Sequence, residues 1–131
     1  DELGEIIPGK STLLITGFEL NKLKLLMAYL NSPLPVFYLK EKYPASSYNQ
    51  GTTFTKDMIN NLPVPKISSN IEIEIINAVD KLIVLSSNDL LKISPDLMSE
   101  EAILKEDINS FIYKSFNLTD DEILIVENNS K

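Results

Sequence analysis

Leu20, Leu23, Met27 and Leu30 recur at three- and four-residue steps, with Lys22 and Lys24 to one side. That is the spacing of one helical face, and it predicts a helix packed on a core. Thr16 followed three residues later by Glu19 has the form of a capping box, which predicts where the helix starts. Ahead of it, residues 13–16 form a short apolar, β-prone run that predicts a strand feeding the helix. In "NSPLPVFYLKEKYP" the pattern breaks and resumes: Ser32 is placed as an N-cap, with Pro33 at the first helical position and Pro35 within the first turn. Pro44 then ends this second helix, because the residue before a proline avoids helical geometry. Thr55 is a candidate N-cap for a short helix over 56–61, which Pro63 and Pro65 prevent from continuing.

Further on, Ile71, Ile73 and Ile75 alternate as in a strand, but Ile71, Ile75, Ala78, Val79 and Leu82 fit a helical face over the whole segment. Its length also favours a helix over 71–86. Leu104, Ile108, Phe111, Ile112 and Ser115 repeat that face over 101–116, so the two segments are expected to pair antiparallel, with "SSNDLLKISPD" as the turn region. Thr119 and Glu122 form a second capping box, opening a terminal helix through about residue 127. The expected class is therefore α+β and predominantly helical: a short strand or strands with the N-terminal helices, then an antiparallel helical pair, then a short C-terminal helix.

Composition narrows the chemistry. With 131 residues, one compact domain is expected, burying roughly two-thirds of the surface its unfolded chain exposes. No apolar run approaches the roughly 20 residues of a membrane helix, so no membrane partner is expected. The chain begins at Asp1 without an initiator methionine or a leader-like pattern, which predicts a segment of a longer polypeptide. There is no cysteine and no histidine, which excludes disulfides and thiol or histidine catalysis, and removes the commonest metal ligand. The acid pairs Glu100/Glu101 and Asp120/Asp121 lie near expected helix starts, where the dipole favours them, and read as capping or solvated groups. Asp96, Glu101 and Lys105 offer at most a weak nuclease-like grouping. The four glycines are isolated, so no phosphate cradle is present.

The net charge of −7 is unevenly spread. Residues 17–66 carry six lysines against three acids (+3), and residues 67–131 carry five lysines against thirteen acids (−8). That asymmetry divides the chain into a mildly basic region, 1–66, containing a polar loop at 45–55, and an acidic helical region, 67–131. All basic residues are lysines, so guanine cannot be read by a bidentate guanidinium. Within the loop, Tyr48, Asn49, Gln50, Thr52 and Thr53 combine amides suited to adenine, hydroxyls suited to base or phosphate, and an aromatic ring. Lys40, Lys42 and Lys56 flank it with positive charge. Tyr43 and Phe54 are expected to anchor the loop in the core.

The ordered series "ITGFEL", "LLMAYLNSPLPVFYL", "FTKDMINNLPVPKI", "IINAVDKLIVL" and "DINSFIYKSFNLTDDEILIVE" resembles the TaqI-like C-terminal specificity domain over roughly residues 12–127. That family forms the target-recognition part of type IIG restriction–modification enzymes and related adenine methyltransferases, and is similar to the recognition domains of type I specificity subunits. The resemblance implies a non-catalytic module that reads double-stranded DNA for a methyltransferase, and in some members a nuclease, elsewhere in the parent polypeptide. It implies a prokaryotic cytoplasmic setting. It also implies no cofactor in this segment, with S-adenosylmethionine serving the parent enzyme. The adenine-methylase motif, an acid or amide followed by two prolines and an aromatic, is matched by neither "NSPLP" nor "NNLPVP". A rival expectation is a protein-interaction module that docks a partner subunit through the helical pair.

Overall fold

A computed structural model describes residues 9, 13–17, 19–44, 54–87 and 94–130. These contain six helices: α1 (Leu20–Asn31), α2 (Pro33–Lys42), α3 (Lys56–Asn60), α4 (Ser69–Ser86), α5 (Pro95–Ser115) and α6 (Asp120–Asn129). No strand occurs among the described residues, so the expected α+β class is overturned in favour of an all-helical one. The run at 13–16 has no regular structure, and Leu13, Leu14 and Ile15 are exposed. β-propensity reflects packing beside a neighbouring strand, and no such neighbour exists among the described residues.

Helix α1 differs from its sequence reading in two ways. It begins at Leu20 with Glu19 as N-cap and no side-chain capping bond, so Thr16 does not cap it. Glu19 instead pairs with Lys22 at 3.0 Å. The buried residues of α1 are Ala28 and Tyr29, whereas Leu20 and Met27, from the expected stripe, are both 43% exposed. Six consecutive apolar residues, 25–30, with Leu23 two positions ahead, make α1 hydrophobic on most sides, so spacing alone does not select the inner face. Lys24 helps select it, because its Nζ meets Asp80 Oδ1 of α4 at 2.6 Å.

Other starts and stops follow the sequence closely. Ser32 sits at the N-cap of α2 with Pro33 in the first turn, although its hydroxyl donates to Tyr29 O at 2.7 Å and does not cap α2. Thr55 caps α3 by accepting from Met58 N–H at 3.3 Å. Thr119 and Glu122 complete a reciprocal capping box on α6. Helix α5 starts earlier than expected because Ser94 and Pro95, placed in the turn by sequence, act as N-cap and first helical residue. Glu100 and Glu101 therefore lie beyond its first turn.

The α4–α5 pairing is the most extensive among the described helices. Ile75, Ala78 and Val79 of α4 and Leu104, Ile108 and Ile112 of α5 are buried, as the helical faces predict, while Ile73 is 56% exposed. The strand-like alternation at 71–75 is thus carried on a helix. Tyr29, Leu39 and Leu62 join these residues in one core cluster, so the basic and acidic regions share a single interior. After α5 the chain turns at Asn117, whose φ of 54° lies in the left-handed region. Leu118 N–H donates to Tyr113 O and Asn117 N–H to Lys114 O, the paired bonds of a Schellman ending. This turn returns α6 to pack on α2.

Candidate nucleic-acid interface

The polar-loop residues Tyr48, Asn49, Gln50, Thr52 and Thr53 lie outside the described residues. Their stems do not. Tyr43 N–H donates to Leu39 O at 2.8 Å where α2 ends, and Thr55 caps α3 on the other side. Tyr43 and Phe54 are partly buried against the core cluster, as expected of loop anchors. The segment beyond α3 is fixed by the Tyr29 hydroxyl, which donates to Pro63 O at 2.6 Å. Burial pushes the Tyr29 hydroxyl up to about 12, with Tyr38 a smaller cause. This hydroxyl therefore stays protonated and keeps its donor role.

The three predicted lysines have different surroundings. Lys40 and Lys42 are two positions apart on one helix, which turns their side chains to different sides. Lys40 is half-buried and reaches Ser130 O, just past α6, at 3.4 Å. It thus links α2 to the end of α6. Lys42 is exposed in the last turn of α2, and its Nζ donates to Tyr38 Oη at 3.0 Å. The ammonium also lies 5.3 Å from the Tyr38 ring centre and 5.7 Å from that of Tyr43. The Tyr38 hydrogen bond, reinforced by the charge interactions of Tyr38 and Tyr43, holds the Lys42 ammonium above the usual lysine range.

Lys56 is exposed at the start of α3 and borders an open groove of about 520 Å³. Leu39, Phe54, Ile59 and Leu62 line the same groove, which is chiefly apolar. The structure therefore assigns three settings: a strut to α6 for Lys40, an aromatic pair for Lys42, and a groove edge for Lys56. Lysine spacing alone did not identify Tyr38 as a partner. The available signal was its four-residue separation from Lys42, which places both on one helix face.

The acidic groups form no comparable centre. Glu101 pairs with Lys105, and Asp120, Asp121 and Glu122 occupy the first turn of α6. Among the described residues no group of three histidine, cysteine, aspartate or glutamate side chains is placed to hold a metal ion. No described helix is long and apolar enough to cross a membrane. No protein-family model, curated protein or solved structure matches the chain.

Proposed function

We propose that the chain is a non-catalytic DNA target-recognition segment of a restriction–modification methyltransferase. The observation that carries this reading is the ordered series from "LLMAYLNSPLPVFYL" to "FTKDMINNLPVPKI". The fold is compatible with it: Tyr29 ties the first stretch to the second through Pro63, and an exposed lysine stands at each stem of the polar loop. Rigid stems are what a recognition loop requires, because binding groups are commonly carried on loops held by a fixed scaffold. Lys42 and Lys56 supply charge for phosphates, while Tyr48, Asn49, Gln50, Thr52 and Thr53 supply the groups for base edges. Phosphate contacts position a protein on DNA, and base contacts specify the sequence. Lys40, bonded to the end of α6, joins the charged set as its least available member.

The experiment is a binding survey over a panel of duplexes with different sequences, using the wild type and an Asn49→Ala/Gln50→Ala variant. The wild type should prefer some duplexes, and the variant should lose that preference while keeping its thermal stability and its salt-sensitive affinity. Equal preference in both proteins would remove the loop from recognition.

A second reading draws on the exposed apolar groups of the helices after residue 67. Ile73, Val84, Met98, Ile103, Leu124 and Ile125 are each more than half exposed. This exposed apolar surface would suit docking against a partner subunit, such as the methyltransferase or nuclease part of the parent enzyme. Replacing Val84 with glutamate should then abolish association with that partner while leaving the isolated chain folded. Undiminished association would exclude Val84 from the contact.

A further inference from the structure

The Lys42 side chain is held from two directions. Tyr38 precedes it by one helical turn and Tyr43 follows it directly, and its ammonium lies within 6 Å of both ring centres. One ammonium N–H is engaged by the Tyr38 hydroxyl at 3.0 Å. A lysine ammonium has three donors, and the two tyrosines take at most two of them, so at least one N–H of this exposed group remains for an anion. A free surface lysine loses its rotamer freedom when it grips a phosphate. A lysine already held by a hydroxyl and a neighbouring ring loses less.

We infer that Tyr38 and Tyr43 are positioning residues that present the Lys42 ammonium as a phosphate anchor for duplex DNA at the end of α2. The inference rests on the DNA-recognition reading and adds to it two tyrosines that touch no DNA themselves. The Tyr38 hydroxyl fixes the position of the ammonium, which lies beyond that ring's hydroxyl edge, and the Tyr43 ring, 5.7 Å away, limits its direction. A lysine placed at the same position between aliphatic side chains would carry equal charge with a wider spread of positions.

The test measures affinity for a mixed-sequence duplex across a salt series, alongside thermal melting, in the wild type and the variants Lys42→Met, Tyr38→Phe and Tyr43→Leu. Each tyrosine variant is also made in the Lys42→Met background. Lys42→Met should lower the slope of log affinity against log salt by about one, the contribution of a single phosphate contact. Tyr43→Leu, which removes a ring, should weaken binding roughly two- to fivefold, the range expected of a cation–π contact at an exposed site. Tyr38→Phe, which keeps its ring and loses only the hydroxyl that accepts from Lys42, should weaken it to a similar extent. Neither should alter DNA affinity once Lys42 is methionine. Equal effects of the tyrosine variants with and without Lys42, or tighter binding after their replacement, would overturn the positioning role. DNA binding with an unchanged slope in Lys42→Met would overturn the anchor while leaving DNA recognition intact. Wild-type binding that is absent or insensitive to salt would overturn the anchor together with the reading on which it rests.

Discussion

The helical pair α4–α5 and the region from α1 to α3 are held by different means. In the pair, long helices bury repeated aliphatic faces, and Ile75 and Ile112 have no exposed surface. In the other region, short helices are interrupted by prolines, and single polar ties do much of the fastening: the Tyr29 hydroxyl to Pro63 O, and the Ser32 hydroxyl to Tyr29 O. A periodic apolar face gives stability that is spread over many atoms. A directed hydrogen bond gives geometry at a point, which is what the stems of the proposed recognition loop need.

Truncation inside the pair should have the largest effect. Ile112→Ala should cost about 2–5 kcal/mol in urea unfolding, since it removes transfer free energy and leaves a cavity where the helices meet. A loss well under this range would mean that the pair repacks easily and is less rigid than its burial indicates. Tyr29→Phe should cost only about 1 kcal/mol, because the ring keeps its stacking on Phe116 and only the bond to Pro63 O is lost. Its effect should be uneven, with faster hydrogen exchange in α3 and little change in α4 and α5. Uniform acceleration would show that the two regions open together.

The α6 cap should rank close to Tyr29. Thr119→Ala should cost about 1 kcal/mol by removing the acceptor for Glu122 N–H. The backbone N–H and hydroxyl of Thr119 lower the folded-state pKa of Glu122 below its ordinary 4.5. A depressed carboxylate contributes stability above that ordinary value and loses it as pH falls through the lowered one. Thr119→Ala removes the hydroxyl and keeps the backbone N–H, the larger cause, so it should flatten only part of the acid limb of stability against pH below about 4.5. An unchanged limb would exclude the Thr119 hydroxyl as a source of acid sensitivity and leave the retained backbone N–H as the cause. The smallest change is expected for Lys105→Ala, because its pair with Glu101 is on the surface, where such pairs contribute about 0–1 kcal/mol.

The pair was also the easier region to read from the sequence. Ile75, Ala78, Val79, Leu104, Ile108 and Ile112 all declare themselves by helical spacing and are all buried. Thr55 and the Thr119–Glu122 box were legible because their capping chemistry is local. The inner face of α1 was not legible, because that helix is apolar on most sides and its orientation depends in part on Asp80, far away in sequence. The expected strand at 13–16 failed for a related reason: a strand is defined by its partner, and a propensity does not supply one. At the candidate interface, lysines were visible as charge; the fate of Lys40 depends on a tertiary neighbour, the end of α6, whereas the partners of Lys42, Tyr38 and Tyr43, are local and were legible only by spacing.

The central claim is that the basic region contacts DNA and the acidic region supports it. It is tested most directly by charge reversal on both sides, measured as duplex affinity over a salt series. Lys42→Glu/Lys56→Glu should weaken binding severely and lower the magnitude of the salt slope by about two, the equivalent of two lost phosphate contacts. Lys81→Glu/Lys105→Glu, which makes the same change in net charge on exposed residues of α4 and α5, should leave the slope unchanged. Equal losses from both pairs would mean that only total charge matters. A slope that responds only to the second pair would move the DNA contact to the acidic helices and contradict the account.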